Sequence, residues 1–205
     1  IIEGDVKDLE HLKEAMKGMT TVYSLASNPD ISKAISQPDI DFWEGTYLIN
    51  NVLEAMRVNN VKNLIYASGS GVYGDVGATV THEDFSPMLP SSTYGASKLA
   101  CEALICSYCK MFDMNAGAFR FANVVGPNQT HGVGYDFLRK LKENPAQLEI
   151  LGDGTQSKSY IYIEDIVNAL RTVEKEALHG YNYYNVATLD HITVTEIANI
   201  TVKIM

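Results

Sequence analysis

Tyr94 and Lys98 stand four residues apart in the run Tyr94-Gly-Ala-Ser-Lys98. In a helix that spacing puts both side chains on one face, so a phenol and an ammonium can address one reacting group. A free tyrosine has a pKa near 10 and is a weak base at neutrality. An ammonium about 5 Å away, at an effective dielectric of about 20, favours the phenolate by roughly 3 kcal/mol, or about two pKa units. Tyr94 is therefore expected to work as a general acid/base near neutral pH. The same pair on a solvated helix face would do nothing, so the surrounding elements decide between the two readings.

Two other runs carry polar groups to the ends of strands. Residues 64–74 read as an apolar strand running into Ser68, Gly69, Ser70 and Gly71, and residues 120–127 as a second strand leading to Asn123 and Gly126-Pro127. The carboxyl ends of strands are where open α/β sheets bind their ligands.

The elements that must position these groups alternate between short apolar runs and longer stretches of 3.6-residue periodicity, the pattern of β-α units around a mostly parallel sheet. Strands are expected at residues 20–25, 62–67, 116–121, 148–151, 159–163 and 183–186. Helices are expected at about 7–17, 40–58, from 93 onward, 135–143, 163–176 and 193–204. Phe42, Gly45, Ile49, Val52, Leu53 and Met56 mark the apolar stripe of the second helix; Ala96, Leu99, Ala100, Ala103, Leu104 and Met111 mark that of the third. Residues 69–92 carry four glycines and two prolines and are expected to form a long loop. A soft domain boundary is expected after Pro127, with residues 1–127 as one domain and 128–205 mainly as a second, some of whose segments return to the first sheet.

Composition narrows the function classes. With 205 residues, 46% of them hydrophobic and 20% charged, the chain can bury a sizeable core. A net charge of −9 repels polyanions, so a small-molecule substrate is expected rather than a nucleic acid. No apolar run approaches the roughly 20 residues of a membrane-spanning helix. Cys101, Cys106 and Cys109 fall in one expected helix, a layout that suits reduced packing residues in a cytoplasmic protein better than disulfides, and no metal site is expected. The opening Ile1-Ile2-Glu3-Gly4-Asp5 and the apolar helical pattern running to Met205 read as those of a piece of a longer protein.

Taken in order, Gly4-Asp5-Val6, Ser24–Ser27, Tyr66–Gly74, Ser92–Lys98, Arg120–Pro127 and Gly152–Asp165 resemble the extended short-chain dehydrogenases/reductases of the NAD-dependent epimerase/dehydratase family. Within it the chain is most similar to archaeal UDP-glucose 4-epimerases. The resemblance implies a Rossmann-like doubly wound parallel sheet lacking its first strands, with a smaller, incomplete substrate domain. It also implies NAD as cofactor, a UDP-sugar substrate and a homodimer formed through the helices near 40–58 and 93–112. Asp5 and Val6 would hold the adenine, and Leu25, Ala26 and Ser27 would pass near the pyrophosphate and ribose. Tyr94 and Lys98 would be the catalytic pair, with Lys98 also bonding the nicotinamide ribose. Asn123 would meet the sugar or phosphate and Lys158 the nucleotide diphosphate, with His131 near the substrate loop.

The sequence departs from the family pattern at three places. The catalytic Ser/Thr expected four residues before the tyrosine of Val72-Tyr73-Gly74 is Gly69, leaving Ser68 or Ser70 to supply the hydroxyl. An arginine usual after Gly152-Asp-Gly is Lys158, which keeps the charge but loses the planar fork. The glycine-rich turn that meets the pyrophosphate would precede Ile1, along with the residue that separates NAD from NADP. Family dehydratases carry an acidic residue one or two places before Val-Tyr-Gly, where this chain has Ser70 and Gly71; that favours epimerisation at C4 of a UDP-hexose through a 4-keto sugar. A dehydratase or reductase of the same family, and a non-catalytic binding protein on the same scaffold, stay as alternatives. His82 and Glu83 are expected on a solvated loop face, and Trp43 in the core or an interface.

Overall fold

The computed structural model describes residues 1–77 and 79–205 and divides the chain into two compact units. The first comprises residues 1–121 and 169–185, the second 122–168 and 186–205.

The first unit is a Rossmann-like α/β layer. Its sheet has the order β1-β2-β3-β7, from Thr21–Ser24, Asn63–Gly69, Asn115–Phe121 and Tyr181–Val186. The β1–β2 and β2–β3 pairs are parallel, with Ser24 opposite Tyr66 and Ser68 opposite Arg120. That register brings the loop after β1 and the loop after β2 to one edge. Strand β2 is covered on both faces, and Leu64, Ile65 and Tyr66 are all buried, as expected for a central parallel strand.

Helices flank this sheet. Helix α1 (Leu9–Ala15) starts at Asp8, whose carboxylate accepts from the His11 amide. Residues Phe42–Thr46 form a π-helical turn that runs directly into α2 (Tyr47–Val58). Helix α3 (Thr93–Phe112) starts at Ser92, whose hydroxyl accepts from the Gly95 amide, and ends at Asp113 in the left-handed conformation. Ile49, Val52, Leu53 and Met56 of α2 pack with Cys101, Ile105 and Cys109 of α3 over Leu64, Ala116 and Ala118.

Several expectations need correcting. Phe42 lies outside the α2 stripe and is half exposed, because the π turn inserts an extra residue and rotates what precedes it. The buried face of α3 is not the alanine-rich one: Ala96, Ala103 and Met111 are exposed, whereas Ser97, Lys98 and Glu102 are buried beside Cys101 and Ile105. Polar residues occupy that face because each finds a partner across it. Glu83 is half-buried rather than on a fully solvated face; its carboxylate accepts from the Asn185 amide and its carbonyl from Arg120.

The second unit holds two short pairings, parallel β4 (Asn123–Val125) with β6 (Tyr160–Tyr162) and antiparallel β5 (Ser157–Lys158) with β8 (Ile192–Thr193). It also contains α4 (Val133–Glu143) and α6 (Val194–Ile204), while α5 (Ile163–Lys175) begins in this unit and ends in the first. Thr193 and Glu196 form a capping box at the start of α6. Residues 148–151, expected as a strand, form no ladder; the Glu149 carbonyl instead accepts from Lys140 of α4, and Gly152 and Gly154 follow with positive φ. Among the described residues, no helix is long and apolar enough to cross a membrane.

Candidate active site

At the carboxyl edge of the first sheet the end of β2 meets the start of α3. After Gly69 the chain turns through a 3-10 segment, Ser70–Tyr73, which passes directly beneath the first turn of α3. Gly95 permits that approach, since a Cβ there would collide with the Gly71 carbonyl oxygen.

Tyr94 sits in this first turn, half-buried, and Lys98 is buried one turn later. The Lys98 ammonium donates to the Ala67 carbonyl at 2.7 Å and lies 5.1 Å from the Tyr66 ring centre and 5.5 Å from that of Tyr94. Its other two N–H groups have no partner among the described residues. Burial lowers the Lys98 pKa to about 8. Burial also raises the Tyr94 pKa, and the nearby Asp41 carboxylate adds to the effect. The depressed phenol pKa expected from the i, i+4 spacing is thus reversed in the protein alone, because desolvation of the phenolate outweighs an ammonium that points at a strand carbonyl.

The two serines offered for the missing hydroxyl have different surroundings. Ser68 is buried and donates to Glu102 Oε1 at 2.6 Å, whereas Ser70 is exposed at the head of the 3-10 turn. Between them Gly69 is extended (φ −162°), and a Cβ added to it would meet nothing within 4 Å.

Behind this edge lies a buried ion pair for which sequence reasoning assigned no role. Arg120 of β3 and Glu102 of α3 have side chains 3% and 4% exposed and meet at 2.7 Å. Glu102 also accepts from Ser68 and from the Tyr181 hydroxyl. Arg120 donates to the Tyr73 hydroxyl and the Glu83 carbonyl, both at 2.8 Å. Burial opposes the Arg120 charge, but its hydrogen bonds to Glu102 and Tyr73 overcome that and raise its pKa. A sequence signal for Glu102 existed: it continues the four-residue series of Tyr94 and Lys98 along one helix face.

Among the residues expected to meet a dinucleotide, Asp5 accepts from the Lys7 amide, and the carbonyls of Val6 and Lys7 accept from the buried Asn51 amide at 3.1 Å each. Leu25 and Ala26 are exposed just past β1, with Ser27 half-buried. A free N–H pair on Lys98, the open face at Gly69 and the exposed loop after β1 occupy the same sheet edge and fit a ribose, a ring and a pyrophosphate.

Asn123, His131 and Lys158 belong to the second unit. The Asn123 side-chain amide donates to the Ser159 carbonyl at 3.0 Å, His131 is exposed in the turn before α4, and Lys158 is exposed on β5.

The tyrosine and lysine thus stand at the carboxyl edge of a parallel sheet, where dinucleotide-binding α/β folds place their ligands. Residues 1–187 match the NAD dependent epimerase/dehydratase family, and the chain belongs to it. It is 27% identical over 207 residues to GDP-mannose 3,5-epimerase 1 of Oryza sativa subsp. japonica, covering 96% of this chain and 54% of the relative. The chain therefore spans about half the length of that curated relative. Among solved structures, the crystal structure of UDP-galactose 4-epimerase superposes with a TM-score of 0.86 at 36% identity, covering 98% of this chain and 66% of the other. MoeE5 in complex with UDP-glucuronic acid and NAD superposes with a TM-score of 0.91 at 29% identity, covering 100% and 68%.

Proposed function

We propose that the protein epimerises C4 of a UDP-hexose, interconverting UDP-glucose and UDP-galactose, with NAD bound along the carboxyl edge of the first unit. The observation that carries this reading is the placement of Tyr94 and Lys98 at that edge beside a 3-10 turn whose two leading residues, Ser70 and Gly71, carry no carboxylate. In the family the sequence resembles, dehydratases carry an acidic residue at those positions, and an epimerisation does not call for one. The similarity to UDP-galactose 4-epimerase supports the substrate class.

NAD, when bound, supplies the hydride acceptor and a positive ring charge. Tyr94 holds the proton exchanged with the sugar 4-hydroxyl, and loss of that proton accompanies formation of the 4-keto sugar. Lys98 is pinned by Ala67, so its remaining N–H groups point to a ribose and hold the site's geometry. Ser70, the exposed serine of the two, supplies the hydroxyl that Gly69 lacks. The keto sugar then turns over, Tyr94 returns its proton, and net redox change is zero. In the second unit, the exposed Lys158 is assigned to the nucleotide diphosphate and the exposed His131 to the substrate loop. The exposed Phe42, Trp43 and Met111 give the helices near 40–58 and 93–112 an apolar face for a second subunit.

The test is to incubate the full-length protein with UDP-galactose, without added cofactor, and follow UDP-glucose. Tyr94→Phe is expected to lose nearly all turnover. A product lighter by one water, or a Tyr94→Phe variant as active as the parent, refutes the reading.

A further inference from the structure

We infer that Asp41 is a positioning residue for Tyr94, tying the loop after β1 to the first turn of α3 and setting where the phenol stands at the sheet edge. The inference rests on Tyr94 being the acid/base of the proposed reaction.

Asp41 precedes the π turn and is 2% exposed. One carboxylate oxygen accepts from the Asn28 amide at 2.8 Å, and the other from the Thr93 hydroxyl at 2.6 Å. Asn28, itself buried, closes on Asp30 through both its amide groups. The Asp41 backbone carbonyl accepts from Ser97 Oγ at 2.7 Å, and Ser97 in turn meets the Thr46 hydroxyl at 2.9 Å. A single residue thus grips α3 at positions 93 and 97, on either side of Tyr94 and one turn apart. Any shift of the 25–30 loop or of the π turn is passed to the phenol.

No ion pair with Asp41 occurs among the described residues, and a buried carboxylate with only neutral donors is a costly choice. An asparagine could keep both partners, donating to the Thr93 oxygen instead of accepting from it. The negative charge therefore does something an amide would not. It opposes ionisation of Tyr94. The titratable groups facing the phenol are Asp41 from the π turn, Tyr66 from β2 and Lys98 from its own helix. Charges on the neighbouring elements are engaged elsewhere: Glu44 with Lys7, Glu54 with Arg57, Glu102 with Arg120, while Lys33 is exposed on the 3-10 segment Ile31–Ile35. Burial first and Asp41 second thus favour the protonated phenol.

The experiment combines isosteric and truncating variants of the full-length protein, with Tyr94 observed by NMR of ring-13C-labelled tyrosine and identified by its absence in Tyr94→Phe. Asp41→Asn, which removes the charge and keeps the network, is expected to move the Tyr94 titration to lower pH. Thr93→Val, which cuts the tie and keeps the charge, is expected to lower kcat on the order of tenfold with KM little changed and without that downward move; Thr93→Ser restores kcat. An unmoved or upward-moved Tyr94 titration in Asp41→Asn overturns the charge role, and a Thr93→Val variant with parental kcat overturns the positioning role. Full activity of Tyr94→Phe defeats the catalytic reading instead, while the titration still reports on Asp41.

Discussion

Replacing Glu102 by alanine strands Arg120 in the core. The two side chains are 3% and 4% exposed, and Glu102 is the anionic partner of a guanidinium that otherwise has a phenol and one carbonyl. Deleting one member of such a pair costs about 3–5 kcal/mol, because the remaining charge is buried without compensation. Ser68 and the Tyr181 hydroxyl lose their acceptor as well, which places the loss toward the upper end. For a chain of this size a loss of about 1 kcal/mol lowers Tm by roughly 2–4 °C, so Glu102→Ala should melt about 6–20 °C earlier. Thermal unfolding followed by circular dichroism reads this directly. The paired variant Glu102→Leu with Arg120→Met removes both charges and should recover part of the loss, though Tyr73 and the Glu83 carbonyl still lack their donor. A single variant that melts within 2 °C of the parent, or a double variant less stable than the single one, would refute the idea that this ion pair supports the site from behind.

Gly69→Ser should fold normally, since the backbone there is extended and the added Cβ meets nothing, and with Ser70 already supplying the hydroxyl it should leave kcat within about threefold of the parent; a rise of about tenfold counts against Ser70 in that role. Gly95→Ala drives a methyl into the Gly71 carbonyl and is expected to cost about 1–3 kcal/mol in chemical denaturation while lowering activity. Lys98→Met should abolish turnover yet stabilise the protein below pH 8. The ammonium pKa falls from 10.5 to about 8 on folding, which corresponds to on the order of 3 kcal/mol of destabilisation that is complete below the folded pKa. The folded state binds fewer protons between pH 8 and 10.5, so parental stability should rise through that window from this group and the advantage of Lys98→Met should fade; denaturant midpoints at three pH values would show it.

Much of the scaffold was legible because the chain states it locally. Mostly apolar runs marked β2 and β3, and an apolar stripe of helical period marked α3 from about Thr93. That Tyr94 and Lys98 lie one turn apart on one helix could be read from spacing. What could not be read was set by tertiary contact. The polar face of α3 turned inward because Glu102 found Arg120, Ser97 found Asp41 and Lys98 found Ala67, and no pattern in one segment reveals a partner on another element. The same holds for the sign of the phenol's displacement: pairwise spacing supplies the ammonium but not the desolvation or Asp41. Residues 148–151 look like a strand by composition, yet pairing requires a neighbouring edge, and the Glu149 carbonyl accepts from a lysine side chain instead.

The stretch from Phe42 to Thr46 accommodates one residue more than a regular helix would. Were this stretch wound as regular α-helix with every residue kept, everything upstream would swing by about 100° around its axis. Asp41 would then look away from both Asn28 and Thr93, although neither its identity nor theirs had changed. In this protein a surplus residue, itself without any reactive group, acts as the spacer on which the aim of a distant phenol depends.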